Sequence, residues 1–151
     1  MFISSSLVAY ISEPNSLALS FACIDKVSFN EEIIIPSSAI RLRVIANSDS
    51  VFDQNIKMTV KDNVENAIFE KLKGINNIDS AREILKNSLD IFNSVVDNTL
   101  ISNNIDMEFS INYGYNYFPE KVYKGITYEE GQYESLVVTL GEGKGSNWWC
   151  V

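Results

Sequence analysis

The sequence predicts an α+β domain in two layers: an N-terminal strand, two antiparallel helices, then a three-strand, mostly antiparallel sheet. Three observations carry this: strand-like alternation over residues 40–46, two long stretches with apolar residues three and four apart, and three alternating segments towards the C-terminus. A chain of 151 residues with 46% hydrophobic content has the size of one domain with one core.

The first 24 residues, "MFISSSLVAYISEPNSLALSFACI", are small and apolar except at Glu13, Pro14 and Asn15, which interrupt any continuous membrane span. They lack the positive start of a secretory signal, although "LSFAC" has small residues where a cleavage or lipidation site would fall. Residues 1–24 are therefore expected to be the remnant of an export signal or an N-terminal arm. Residues 25–37, closed by "EEIIIP", read as a linker, and residues 38–151 as the folded domain.

Within that domain, Ile40, Leu42, Val44 and Ala46 alternate against Arg41, Arg43 and Ile45, a strand with one core face and one partly charged face. Ile56, Val60, Val64, Ile68 and Leu72 then recur every four residues, joined by Ala67, in an amphipathic helix ended by Gly74. Ser80 and Glu83 form an S-x-x-E capping box opening a second helix, whose apolar face runs from Ile84, Leu85 and Leu89 through Phe92, Val95 and Val96 to Leu100. The short loop between the helices implies antiparallel packing. "MEFSINYGYNYF", "EKVYKGITY" and "YESLVVTL" alternate as strands, with "EEGQ" as a hairpin turn between the last two.

Composition excludes several functions. Twelve basic residues against twenty acidic ones give a net charge of −8 and no basic stripe, so nucleic acid is not an expected partner. There is no histidine, which removes Ser-His-Asp and Cys-His hydrolysis, His-ligated zinc and imidazole proton shuttles. No metal or cofactor is expected. Cys23 and Cys150 are neither a zinc set nor a C-x-x-C pair, and spacing leaves open one long disulfide or two separate thiols.

Two stretches are richer in polar and glycine residues than the fold requires. "IRLRVIANSDS" runs from a strand into Asn47, Ser48, Asp49 and Ser50, with Asp53 and Gln54 in the first helical turn. Capping explains one such residue at a helix start, not four; the alternative is a contact patch, extended by Arg41 and Arg43, at a strand end. "GEGKGSNWWCV" places Gly141, Gly143 and Gly145 on alternate positions, but not with the spacing or the following helix of a phosphate-binding loop. They read as positive-φ positions in a tight turn. After Asn147, the adjacent Trp148 and Trp149 point to opposite sides of an extended chain; Trp149 is expected inside, towards Cys150 and Val151, and Trp148 outside as an anchor for a partner.

Both stretches, R-L-R-x-x-A-N-S-D-S-x-x-D-Q and G-x-G-x-G-x-N-W-W-C-V, closely resemble the stage II sporulation protein R family of endospore-forming Firmicutes, over about residues 35–151. The resemblance implies an exported, non-enzymatic signal made in the forespore and released into the space between forespore and mother-cell membranes. There it would activate a membrane-embedded sporulation aspartic protease, which cleaves the precursor of the early mother-cell sigma factor, sigma-E. It also implies a longer chain, with a basic, apolar signal ahead and a Pro-rich apolar segment holding another cysteine, a partner for Cys150, behind. The competing reading is a cell-envelope hydrolase using Asp49 and Asp53 as an acid and base pair on a wall polymer.

Overall fold

The computed structural model describes residues 7–11, 19–23, 39–123 and 126–149, with residues 7–11, 19–23, 121, 123, 126, 148 and 149 described by backbone alone. In chain order the elements are β1 (Leu7–Ile11), β2 (Leu19–Cys23), β3 (Ile40–Ile45), α1 (Val51–Leu72), α2 (Ile78–Asn87) and α3 (Leu89–Ser102). They continue with β4 (Phe109–Phe118), β5 (Lys121–Tyr123), β6 (Ile126–Tyr128), β7 (Gly131–Leu140) and β8 (Asn147–Trp149). The strands join in the order β2-β1-β3-β7-β4, and β5 and β6 form a small sheet of their own. β1 pairs with β3 at Ile40 and Arg41, while β8 takes the same edge further along, at Arg43, Val44 and Ile45.

The α+β class is as expected, but the sheet is mixed: β3 and β7 run parallel, whereas β4 and β7 are antiparallel over ten residue pairs. Alternation identifies a strand and its buried side without naming its neighbours. The clue to the centre of the sheet was the unbroken apolar run Leu136, Val137, Val138 in β7, all buried, as expected of a strand covered on both faces.

Three local expectations are corrected. α2 starts from Asn77, whose side chain accepts from the Ser80 N–H at 2.8 Å, so Ser80 lies inside the first turn and is not the cap. The second helix is two: the chain breaks at Ser88, whose N–H bonds to Leu85 O while its own carbonyl accepts from Ile91 and Phe92. Asn87 and Ser88 are both weak helix formers whose side chains compete for backbone groups. Finally, residues 120–128 are not one strand paired to β7. β5 and β6 pair with each other, Val122 opposite Thr127, on either side of Lys124-Gly125, a turn-forming dipeptide in sequence; these two residues lie outside the described residues. β7 instead pairs with β4, from Phe118 opposite Gly131 to Phe109 opposite Leu140.

All three helices lie on one side of the sheet. The core joins Ile56, Val60, Val64, Ile68 and Leu72 of α1 to Leu85 of α2, Phe92, Val96 and Leu100 of α3, and Leu42, Val44, Leu136, Val138 and Leu140 of the sheet. Asn63 of α1 donates to Thr99 of α3 at 2.9 Å across the helix pair. Arg82 of α2 reaches the sheet by gripping buried Glu134 with Nε, 2.8 and 2.9 Å from the two carboxylate oxygens, and Tyr113 donates to the same carboxylate at 2.8 Å. Among the described residues no helix is long and apolar enough to cross a membrane. The expected linker, residues 25–37, lies outside the described residues, as does Cys150, so the disulfide considered for it falls there too.

Candidate functional site

β3 delivers the chain to the sheet's end at Ala46, and α1 begins five residues later; the loop after β7 returns to the same place. Two backbone bonds fasten one to the other: Gly145 N–H to Ala46 O at 2.9 Å and Lys144 N–H to Asn47 O at 3.1 Å. The two stretches singled out in the sequence are thus two sides of one structure.

Asp53 is its hub. The carboxylate Oδ2 accepts from Asn47 Nδ2 at 2.9 Å and from Ser48 Oγ at 2.6 Å, while its own N–H donates to Ser50 Oγ at 3.1 Å. Ser50 is therefore the N-cap of α1. The hydroxyl and amide donors, Ser48 first and Asn47 second, hold the Asp53 carboxyl below its ordinary range. Its place in the first turn also suits the helix dipole. Gln54 donates from Nε2 to Ser48 O at 3.0 Å and accepts from Lys57 Nζ at 2.5 Å, and Lys57 also reaches Ser146 O at 3.2 Å. Gln54 and Lys57 are both buried.

The glycine loop is cross-linked to this hub by side chains. Asn47 Oδ1 accepts from Glu142 N–H at 2.9 Å, and Asp49 Oδ1 accepts from the Ser146 N–H at 2.6 Å and hydroxyl at 2.7 Å. Those two Ser146 bonds lower the Asp49 carboxyl as well. The glycines are required by the fit. Gly141 has φ +54, and a Cβ there would collide with the Asn47 side chain; Gly143 has φ +63. A Cβ on Gly145 would strike the Ser48 carbonyl.

Capping and cross-linking therefore account for Asn47, Ser48, Asp49, Ser50, Gln54, Gly141, Gly143 and Gly145. Arg41 and Arg43 lie apart from this network, on the sheet face away from the helices, beside Phe118 and Tyr133. Asn147 pairs with Ile45 in β8, and the register sets Trp148 opposite Val44 and Trp149 opposite Arg43. The indoles lie outside the described residues, and with them the expected inside and outside places of Trp149 and Trp148.

Sequence reading missed the hub role of Asp53 and the parts played by Lys57 and Ser146. Lys57 had a signal, since it falls beside Ile56 and Val60 on the inward face of α1, where a lysine is out of place unless paired. It also missed the exposed pair next to the hub, Val51 at 74% and Phe52 at 60% exposure. The proposed acid and base pair fares poorly: both carboxyls are lowered, and Asp53 is consumed by internal donors, whereas a general acid needs a raised value.

The comparisons agree with the two motifs. The family model described as stage II sporulation protein R matches residues 36–151. The stage II sporulation protein R of Bacillus subtilis (strain 168) is 37% identical over 124 residues, which cover 82% of this chain and 55% of that protein. The chain thus spans about half the length of the curated relative it matches. No solved structure matches. With the matched region taking in every element from β3 to β8 and both halves of the interlocked junction, the chain belongs to the stage II sporulation protein R family.

Proposed function

We propose that this chain is an exported intercellular signal of sporulation. It leaves the forespore, and in the space between forespore and mother-cell membranes it activates a membrane-embedded aspartic protease of the mother cell, which then processes the sigma-E precursor. The observation that carries this reading is the family match over residues 36–151, in which both motifs of the resemblance meet in one hydrogen-bonded junction.

The junction suits a protein ligand better than a catalyst. Its polar groups are spent on each other, which fixes the backbone without leaving a proton donor of raised pKa at Asp49 or Asp53. What it presents outward is Asp49 and the neighbouring apolar pair Val51 and Phe52, held on the first turn of α1. An exposed aromatic on a rigid mount is the usual make-up of a binding hot spot, because little conformational freedom is lost on docking.

The test is reconstitution. The protease and the sigma-E precursor are co-expressed in a non-sporulating host, with and without the full-length secreted form of this protein. The proposal expects the cleaved precursor only when all three are present; uncleaved precursor with all three present and folded refutes it.

A further inference from the structure

Among the described strand residues, the face of the sheet turned away from the helices carries Arg41 and Arg43 and no carboxylate. Arg41 and Arg43, two apart on β3, both point there. Arg41 is only 6% exposed, with its guanidinium carbon 3.5 Å from the centre of the Tyr133 ring and 5.5 Å from that of Phe118. The guanidinium carbon of Arg43 lies 5.4 Å from the same Phe118 ring, and the two rings meet edge to face with centres 6.0 Å apart. Aromatic faces attract guanidinium groups and set their planes.

They do not satisfy its hydrogen bonds. Nε and Nη1 of Arg41 and Nε of Arg43 are buried without a partner, and Arg43 Nη1 makes one bond, to Tyr117 O at 3.3 Å. None of the ion pairs among the described residues uses either arginine. Desolvation by burial lowers both guanidinium pKa values, and at Arg41 the Tyr133 side chain, through its own charge and hydrogen bond, offsets only part of that. A fold in which acidic residues outnumber basic ones by twenty to twelve has supplied these two with no described carboxylate. Buried charges are ordinarily paired.

We propose that Arg41 and Arg43 form a carboxylate-binding site for an acidic, extended segment of a partner protein. The guanidinium fork matches a planar carboxylate through paired N–H donors, and the walls of Phe118 and Tyr133 suit a flat group entering edgewise. Arg43, the more exposed, meets the carboxylate first, and Arg41 stands behind it as fixed positive charge. The net charge of −8 opposes approach to a broad polyanionic surface, whereas a short acidic segment needs only this local complement. The site deepens the proposed signalling role by giving the chemistry of one partner contact. Its test contains no protease, so its failure and the failure of that role are separate results.

The measurement is NMR of the arginine Nε–H groups in the whole chain, titrated with a blocked tetrapeptide of two glutamates between glycines. A glutamine version of the peptide and inorganic phosphate serve as the other arms. Two arginine signals move saturably with the glutamate peptide and not with the glutamine one. Arg43→Gln weakens binding about tenfold, as loss of a charge-assisted pair does, with an unchanged fold by amide spectrum, and Arg43→Lys falls between. Equal response to the glutamine peptide, equal response to phosphate, or undiminished binding by Arg43→Gln overturns the site.

Discussion

Ser48 shows how tightly single residues are committed at the junction: its hydroxyl donates to Asp53, receives the Ser50 N–H at 3.2 Å, and its carbonyl takes Gln54 and lies against Gly145. A methyl at 145 therefore has nowhere to go. Gly145→Ala should lower stability by about 1–3 kcal/mol, the usual cost of forced overpacking, as read from thermal melts. Lys144→Ala, one residue away, keeps the backbone bond to Asn47 and loses a side-chain pair with exposed Glu142, so it should stay within about 0.5 kcal/mol of the parent. Asp53 gives a pH test. Its folded pKa is depressed, so its stabilisation is fully present above the ordinary aspartate value of about 3.9 and is lost as pH falls through the lower folded value. Asp53→Ala leaves the Asn47 and Ser48 donors without their acceptor, at a cost of about 1–3 kcal/mol at pH 7, and flattens the acid limb of the melting curve below about pH 4. An acid limb identical to the parent's would remove Asp53 as the hub.

At the scale of elements, β8 and α2 are the informative cases. Register pairs position 148 with Val44 and position 149 with Arg43, and on that pairing Trp148→Ala should cost about 3–5 kcal/mol and Trp149→Ala much less, in paired melts of the two variants. The reverse order would mean that β8 is out of the observed register. α2 has a short apolar face and depends on Arg82, whose grip on Glu134 joins it to β7. Arg82→Met should cost about 1.5–3 kcal/mol and speed hydrogen exchange in α2 ahead of α1, since it leaves a buried carboxylate without its cation and with the Tyr113 hydroxyl as its described donor. The elements were largely legible in sequence because β3 and α1 carry clean periods of two and four. The break at Ser88 was not, because Leu85, Leu89 and Phe92 keep the helical spacing across it. Nor was the parallel pairing of β3 and β7, since alternation has no direction. Each half of the junction was visible as an excess of polar or glycine residues; that they face each other across 97 residues of sequence, Asp49 to Ser146, is a tertiary fact that no local spacing records.

For the whole molecule, the division of labour follows from the two faces of the sheet. One is closed by three helices into a single core, which keeps the strands from shifting register. The sheet's end, where β3 meets α1, is locked by the glycine loop, and beside this lock Val51 and Phe52 stand outward at 74% and 60% exposure. An exposed phenylalanine on an otherwise satisfied first turn makes sense if it is met by another protein. The most direct measurement of the account is therefore precursor processing by Phe52→Ser in the reconstituted system, alongside its melting curve. The expected result is a melt within about 0.5 kcal/mol of the parent, as for other exposed positions, together with a loss of sigma-E precursor cleavage of about tenfold or more, as for a hot-spot side chain. Full cleavage by a folded Phe52→Ser protein would contradict it, and the junction would then be a structural lock without a part in activating the protease.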